Sequence, residues 1–279
     1  MELKVIDNVK IKMVDVLNQS IESCTQLRMA VAFAKMSGYQ LIKNSLDTLI
    51  HNNQRVILLF GLDFHTTDPE VLRDLLIHLD KKENFELFCL SGNLNKTATY
   101  HPKLYLFNHP KNEMTAIVGS SNLTRGGLEN NVEINIAIRA NYTEPIFTDL
   151  LDDFQQLEIA DRRVRPNSTY IDYYEELYQL ARKGKNIALH PKLKAFKTLE
   201  SELPSPKLNA NELVGWMKLV YDHLPTGQLP ASEIYQYEKY FKNKYPENQF
   251  IQAKIRQQLQ FLEKMGLLEK ISRNNWKKV

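Results

Sequence analysis

Apolar residues along the first 90 positions alternate between a helical period and short continuous runs. The helical spacing predicts amphipathic helices over residues 6–23, 38–50 and 69–79. The continuous runs are typical of strands buried on both faces, and they predict strands over residues 27–34, 55–62 and 85–90. This alternation of strand and helix indicates a largely parallel sheet covered by helices.

The pattern changes after residue 100. Three apolar segments follow each other without helices between them, and they predict strands over residues 103–107, 116–118 and 132–139. We expect them to add an antiparallel or mixed portion to the same sheet. Helical spacing returns over residues 145–157 and 170–182. The polar stretch 200–208, with two prolines and two serines, is the best candidate for a linker.

A separate module is predicted after that stretch. Its apolar spacing predicts helices over 211–223, 230–244 and 251–264, then a terminal hairpin over 267–279 that turns at 273–275. Three helices followed by a hairpin are the outline of a winged helix-turn-helix. The predicted core residues of this module are Trp216, Trp276, Ile255, Leu259 and Leu262.

Composition and charge limit the class of protein. The 279 residues are 43% hydrophobic, and no apolar run reaches the roughly 18 residues of a membrane span. The N-terminus lacks the pattern of a signal peptide, and two cysteines make no disulfide framework, so we expect a reduced cytoplasmic protein without a membrane anchor. Residues 207–279 hold 12 Lys and Arg against seven Asp and Glu, a balance of +5. Such a basic excess suits either a nucleic-acid surface or a solvated tail.

Residues that could act on a phosphate cluster between positions 101 and 133. His101 and Lys103 share one face of a strand, because side chains two apart point the same way. The next apolar strand leads into Gly119-Ser120, where backbone amides and a hydroxyl can approach an anion, and Asn122 adds a neutral donor. Glu133 begins the following strand, where it could hold the second nitrogen of a histidine. With no acidic cluster for Mg²⁺ beside them, these residues indicate nucleophilic chemistry.

The order His-x-Lys, apolar strand, Gly-Ser-x-Asn and Glu resembles the signature of the phospholipase D superfamily. The continuation over residues 122–128, NLTRGGL, resembles its bacterial nuclease and restriction-endonuclease branch. The resemblance covers about the first 160 residues and implies a catalytic domain over 1–160. Its implied fold class is α/β, a phospholipase D-like mixed sheet flanked by helices. One departure is Asn108, which stands where the family often has Asp.

Members of this family carry two such motifs or carry one and dimerise. His109 and His190 also begin His-Pro-Lys segments, but neither precedes an apolar strand that ends in Gly-Ser-x-Asn, so we interpret both as surface-loop residues. With one complete motif, the resemblance implies a homodimer in which two His101 residues face each other across a two-fold axis.

The resemblance also implies a reaction without a metal or other cofactor. One His101 attacks phosphorus to form a phosphohistidine, and the second protonates the leaving oxygen and then activates water. Lys103, Asn122 and Ser120 stabilise the phosphoryl oxygens, while Glu133 orients His101.

The C-terminal segments 255–262 (IRQQLQFL) and 266–269 (GLLE) resemble the winged-helix end of the Dam-replacing restriction endonucleases. This implies a helical connector over 161–206 and a small winged helix-turn-helix domain over 207–279 that binds double-stranded DNA. Base-edge or phosphate candidates on the third helix are Gln252, Lys254, Arg256, Gln257 and Gln260. Phosphate candidates on the hairpin are Lys270, Arg273, Lys277 and Lys278.

The sequence therefore indicates a metal-independent DNA endonuclease, of the type II restriction class. Two alternatives stay open: a phospholipid hydrolase or phosphatidyltransferase with the same chemistry, and a non-catalytic winged-helix regulator. Asp63 and His65 follow the second strand, either as part of a ligand-binding loop or as a turn with an Asx cap.

Overall fold

The computed structural model describes residues 1–79, 82–90, 99–159, 163–187, 190–203, 208–246 and 248–279. Contacts between residues group the chain into two compact units. The first unit comprises 1–142 and 160–206, and the second comprises 143–159 and 207–279.

The first unit is built on a mixed sheet. The described strands are β1 (Glu2–Ile6), β2 (Gln26–Val31), β3 (Arg55–Gly61), β4 (Phe85–Leu90), β5 (Lys103–His109), β6 (Glu113–Gly119), β7 (Asn135–Asn141) and β8 (Arg163–Val164). Their order across the sheet is β1-β7-β6-β5-β2-β3-β4-β8. β2, β3 and β4 run parallel, and every other pairing is antiparallel. The predicted mixed sheet is confirmed, with its parallel portion limited to three strands.

Helices that carry apolar stripes accompany this sheet. They are α1 (Met13–Ser23), α2 (Met36–His51), α3 (Pro69–Leu79), α5 (Ser168–Arg182) and α6 (Pro191–Glu202), with α4 (Pro145–Glu158) assigned to the second unit. The core of the first unit joins Leu17, Ile42, Leu58, Leu87 and Tyr174, all at most 1% exposed. Burial of such side chains contributes about 1.5–3 kcal/mol each, so this core supplies most of the driving force for folding.

The N-terminus differs from the predicted helix over 6–23. α1 begins only at Met13, and β1 precedes it as an edge strand. Between them the carboxylate of Asp7 accepts hydrogen bonds from Val9 N (2.9 Å) and Lys10 N (2.7 Å), and Asn8 Oδ1 accepts from Met13 N (2.8 Å). These side chains compete with helix formation before Met13. β1 pairs with β7, a partner distant in sequence that local periodicity does not reveal.

The second unit is a winged helix-turn-helix with one added helix. Its described elements are α4, α7 (Gly215–Asp222), β9 (Gln228–Pro230), α8 (Ala231–Tyr235), α9 (Glu238–Lys244), α10 (Ile251–Lys264), β10 (Leu268–Ser272) and β11 (Asn275–Lys278). β9 was not predicted; it pairs with β11, which makes the hairpin a three-stranded sheet. The predicted second helix is interrupted between Tyr235 and Glu238. The five predicted core residues are at most 3% exposed, as expected.

The boundaries between elements also differ from those predicted. Residues 200–202 of the predicted linker lie in α6, and its residues 204–207 lie outside the described part of the chain. The domain boundaries predicted from sequence separate 1–160 from 207–279, whereas the contacts group α4 with the C-terminal residues. Within the described residues, none of the helices is long and apolar enough to cross a membrane.

α4 holds the start of α7 through two buried polar side chains. Trp216 N donates to Asp152 Oδ1 at 2.6 Å, and Val214 N donates to Gln155 Oε1 at 3.1 Å. Gly215 between them has φ +54, and a Cβ there would lie 1.9 Å from Asp152 Oδ1, so only glycine fits. Burial raises the pKa of Asp152 to about 7, against the lowering effect of Trp216 N and of Lys254, whose Nζ lies 3.8 Å from Oδ2.

The raised pKa of Asp152 predicts pH-dependent stability of the second unit. Between pH 3.8 and about 7 the folded chain binds a proton that the unfolded chain has lost, so the free energy of unfolding falls as pH rises. The full difference is on the order of 4 kcal/mol. Both tryptophans of the chain, Trp216 and Trp276, lie in this unit, so thermal unfolding followed by tryptophan fluorescence reports on it selectively. Asp152→Asn should flatten the decline between pH 5 and 8. Glu233→Gln, a change at an exposed carboxylate of α8 in the same unit, serves as the control and should leave the slope unchanged. An unaltered slope in Asp152→Asn would contradict this account.

Candidate active site and nucleic-acid interface

One edge of the sheet collects the ends of five strands. β2 and β3 finish there, and β5, antiparallel to β2, begins there with Lys103 opposite Val31. β6 runs back and ends there, and β7 begins there, with Gly119 opposite Asn135. The motif residues from three separate segments therefore meet at this edge, although they span more than 30 positions in sequence.

His101 and Lys103 are in direct contact. Lys103 Nζ lies 2.8 Å from His101 Nδ1 and 3.2 Å from Nε2, and it also donates to His101 O at 3.1 Å. An ammonium can donate only to a ring nitrogen that carries a lone pair, so this contact favours the neutral imidazole. His101 is exposed, whereas Lys103 is partly buried.

The electrostatics of the pair act in the same direction. Desolvation by burial lowers the pKa of His101 below 6.5, and the positive charge of Lys103 lowers it further. Burial also lowers the pKa of Lys103, while the charge of Glu133 opposes that change. A histidine with a lowered pKa is neutral near pH 7, which is the form that can act as a nucleophile.

Glu133 bonds to Ser120 rather than to His101. The Ser120 hydroxyl donates to Glu133 Oε2, and Asn131 Nδ2 lies 3.5 Å from Glu133 Oε1. The predicted hydrogen bond between Glu133 and the His101 ring is absent within one chain, among the residues that the structure describes. Ser120 Oγ also accepts from Ile134 N at 3.0 Å. Its hydroxyl proton is thus engaged, and Ser120 holds Glu133 in place instead of pointing a donor at a phosphate.

Backbone amides of the Gly-Ser segment also donate hydrogen bonds within the protein. The sequence had instead predicted that they would be free to bind an anion. Ser120 N donates to Ile134 O at 3.1 Å, and Ser121 N donates to Asn135 Oδ1 at 3.1 Å. A Cβ on Gly119 would lie 2.4 Å from Asn135 Oδ1, so glycine is required where these strands approach. The segment therefore positions side chains and does not itself provide these two amides to an anion.

A buried polar network lies beneath that segment. Asn135 Nδ2 donates to Ser121 Oγ (2.8 Å), Ser121 Oγ donates to Gly127 O (2.7 Å), and Tyr105 OH donates to Ser121 O (2.8 Å). Sequence reasoning missed these residues. The signal was present in β7, where Asn135 is a polar residue on the same face as the buried Ala137.

Asn122 is oriented by the backbone. Phe33 N donates to Asn122 Oδ1 at 3.3 Å, which identifies the oxygen and leaves the amide nitrogen on the other side. Because Phe33 follows β2, this bond fixes Asn122 at the same sheet edge as His101. The role of its amide nitrogen as a neutral donor to phosphate stays a prediction.

The remaining motif positions have structural contacts. Asn108, the departure from the family pattern, accepts from Arg28 Nη1 at 3.1 Å through its side-chain oxygen. His109 is buried, with Nε2 2.9 Å from Thr115 Oγ1, so its interpretation as a surface-loop residue is wrong. His190 lies at the start of α6, where its ring accepts from Lys192 N at 3.3 Å.

The loop after β3 borders this edge. Asp63 Oδ2 accepts from the amide of Tyr100, the residue immediately before His101, at 2.9 Å. Phe64 and His65 both have positive φ, 60° and 50°. Left-handed residues other than glycine cost about 1–3 kcal/mol each and persist only where their surroundings hold them.

The predicted recognition helix, α10, divides into a buried and an exposed side. Ile251, Ile255 and Leu259 face the core of the second unit. The exposed side presents Gln252, Arg256, Gln257 and Gln260. Lys254 differs from this group, because its side chain is only 20% exposed and its charge faces Asp152.

The hairpin also separates its basic residues into two groups. Lys270, Arg273 and Lys277 are exposed, and Arg273 lies at the turn between β10 and β11. Lys278 Nζ instead lies 3.9 Å above the ring centre of Tyr221, a cation–π contact within the unit. Among the described residues, no group of three or more His, Cys, Asp and Glu side chains is placed to hold a metal ion.

Three solved structures are similar to this chain. NucT from Helicobacter pylori has 16% identity and a TM-score of 0.40, covering 57% of this chain and 96% of its own. Nuc from Salmonella typhimurium, a phospholipase D family member, has 17% identity and a TM-score of 0.45, covering 59% and 99%. The phosphatidylserine synthase of Haemophilus influenzae Rd KW20 has 11% identity and a TM-score of 0.48, covering 72% and 48%. No curated protein matches the chain.

Two protein families match separate parts of the sequence. Residues 213–278 match the Dam-replacing HTH domain, which agrees with the winged helix of the second unit. Residues 15–158, just over half of the chain, match the family described as "Cardiolipin synthase, PLD-like domain", and they include every motif residue from His101 to Glu133. The protein therefore belongs to the PLD-like family and carries a Dam-replacing HTH domain at its C-terminal end.

Proposed function

We propose that this protein is a metal-independent DNA endonuclease of the type II restriction class. The observation that carries the proposal is the contact between a neutral, exposed His101 and Lys103, on the sheet edge that also holds Asn122. A histidine of this kind can attack phosphorus, and its two neighbours can stabilise the charge that develops on the phosphoryl oxygens. The HTH domain in the same chain favours DNA as the source of the phosphodiester.

The first step transfers the phosphoryl group to the protein. A lone pair of the neutral His101 ring forms a bond to phosphorus, and the bond from phosphorus to one bridging oxygen breaks. The two facing imidazoles share one proton in the proposed complex: the attacking His101 is neutral, and His101 of the partner subunit holds the proton and gives it to that leaving oxygen. Lys103 and Asn122 bind the non-bridging oxygens, whose negative charge increases in the transition state.

The second step releases the product. The partner's His101, now neutral, takes a proton from water while the water oxygen bonds to phosphorus. The phosphorus–nitrogen bond breaks, its electrons return to the ring, and His101 is regenerated. Protons and electrons therefore balance over the two steps. Ser120 holds Glu133 beside Lys103, where its charge keeps Lys103 protonated.

An exposed apolar surface next to the site supports the homodimer. Val118 lies opposite Ile136, and Ile136 lies opposite Val5, so these three side chains share one face across β6, β7 and β1. Their exposed fractions are 39%, 47% and 61%, and Ile134, hydrogen-bonded through its backbone to Ser120, is 69% exposed. Apolar surface of this kind marks an interface, and we propose a second copy of the chain as the partner.

The exposed side of α10 supports a role in reading DNA. A recognition helix enters the major groove, where glutamine pairs with adenine edges and arginine with guanine edges. Arg256, Gln257 and Gln260 present these groups outward, whereas Gln252 is exposed but its amide nitrogen donates to Glu238 Oε2 at 2.8 Å. We propose that Lys270, Arg273 and Lys277 contact phosphates, while Lys254 and Lys278 serve mainly to hold the unit together.

Cleavage in the presence of EDTA tests the proposed chemistry. The wild-type protein should cut plasmid DNA in excess EDTA, because the histidine replaces a metal-activated water. His101→Ala should lower the rate by about 10³-fold or more while DNA binding persists. His190→Ala, a change in the other exposed His-Pro-Lys segment, should retain activity. A strict requirement for Mg²⁺, or full activity of His101→Ala, would refute the proposal, and release of phosphatidic acid from phospholipid vesicles without DNA cleavage would favour the lipid alternative.

A charge in the apolar surface tests the dimer. Ile136→Glu should raise the dimer dissociation constant by at least about a hundredfold, because burying an unpaired carboxylate at an interface costs several kcal/mol. Sedimentation should then show monomers, and cleavage should fall in parallel. Ile77→Glu, an exposed isoleucine on α3 (54% exposed), is the matched control. An active monomer would show that one chain suffices for catalysis.

Removing a base-reading cation tests the role of α10. Arg256→Ala should weaken binding to the cleaved sequence by about 1–3 kcal/mol and relax the preference at one base pair. The control is Lys218→Ala on α7, which also removes one positive charge, here from an ion pair with Asp222. This variant should keep the wild-type affinity and base preference. Cleavage ends mapped on methylated and unmethylated DNA would identify the preferred sequence. Unchanged binding and preference in Arg256→Ala would exclude this side of α10 as the reader.

A further inference from the structure

Phe64 is held outward at the tip of the loop that follows β3. Its side chain is 70% exposed, although phenylalanine gains most from burial. Its backbone is left-handed, and so is that of His65. For a bulky residue such as phenylalanine this conformation is a genuine outlier. Exposure of the ring and a left-handed backbone both disfavour folding, which indicates that Phe64 has a role other than stabilising the fold.

The surrounding structure fixes this conformation. Thr67 Oγ1 donates to Gly61 O at 2.6 Å, and Tyr174 OH donates to Thr67 O at 2.8 Å, which anchors the end of the loop. His65 N donates to Leu62 O at 3.1 Å, and Thr66 Oγ1 donates to Asp63 O at 3.1 Å. These bonds close a tight turn whose tip is Phe64, so the aromatic ring is presented in a defined position.

The same loop is attached to the segment that carries the nucleophile. Asp63, adjacent to Phe64, accepts a hydrogen bond from the amide of Tyr100, adjacent to His101. Tyr100 is itself buried, with its hydroxyl donating to Leu59 O, so this connection is firm. This link keeps the Cα atoms of Phe64 and His101 within roughly 16 Å of each other, so the exposed ring belongs to the loop that borders the proposed phosphate site.

We infer that Phe64 is a stacking residue for the nucleobase next to the scissile phosphate. This inference rests on the proposed function and adds a contact to its substrate. Every base has a π-face, so an exposed aromatic ring binds bases without selecting among them. In a duplex, the ring would enter between base steps as an apolar wedge. Lys103 and Asn122 would then hold the phosphate while Phe64 fixes the nucleoside attached to it.

Paired changes in protein and DNA test this contact. Wild-type protein and Phe64→Ala are compared on a duplex whose cleavage ends are mapped, and on duplexes with a single abasic nucleotide on either side of the scissile phosphate. On intact DNA, Phe64→Ala should lower kcat/KM by about tenfold, the effect of losing one base–aromatic stack. With the contacted base absent, the two proteins should cut at equal rates. Phe64→Trp should retain the wild-type rate, and Ile77→Ala, which truncates another exposed apolar side chain, should not lower it.

Two further measurements separate this role from a structural one. Phe64→Gly removes the left-handed strain, so its unfolding temperature should equal or exceed that of the wild type while its kcat/KM falls. A wild-type protein that does not cut DNA refutes the proposed function itself. If the wild type is active and Phe64→Ala has the same kcat/KM on intact DNA, the role of Phe64 alone is overturned. The same follows if the tenfold difference in kcat/KM between the two proteins persists on both abasic duplexes.

Discussion

The antiparallel pairing of β5 with β2 is the constraint on which the candidate site depends. β2, β3 and β4 run in one direction, and the reversal at β5 brings its first residues to the edge where the parallel strands end. Each later reversal returns the chain to the same edge, first at Gly119 and then at Asn135. His101, Lys103 and Asn122, which come from two separate segments, therefore lie at the same edge of the sheet because of strand direction.

Rigidity at this edge comes from polar groups that are satisfied inside the protein. Asn135 and Ser121 use their hydrogen bonds on each other and on the backbone, and Ser120 uses its hydroxyl on Glu133. Buried polar networks that are fully paired specify one arrangement of the chain. Because those groups are occupied, the proposed substrate contacts fall to the side chains of His101, Lys103 and Asn122. The division between supporting and contacting residues is thus set by hydrogen-bond capacity.

The sequence was informative where a property is local. The spacing of apolar residues predicted α10 with the bounds observed, and the succession of strands without helices after residue 100 predicted the mixed portion of the sheet. The order of the motif residues predicted that His101, Lys103 and Asn122 lie close together, and all three lie at the same edge of the sheet. The sequence did not reveal β1, whose partner strand is more than 100 positions away. Nor did it show that Glu133 would bond to Ser120 instead of His101. Those outcomes depend on competition among neighbours that are close only after folding.

The contacts of α4 join two parts of the chain that lie in different family matches. Asp152 and Gln155 supply hydrogen-bond acceptors to the start of α7. Gly215 lacks a side chain, which lets Asp152 Oδ1 approach its backbone closely. The family match that includes Asp152 and Gln155 ends at 158, whereas their partners lie in the match that begins at 213. Separation of the chain after residue 206 would leave the amides of Val214 and Trp216 without these acceptors. The C-terminal unit is therefore complete only together with α4, which makes it discontinuous in sequence.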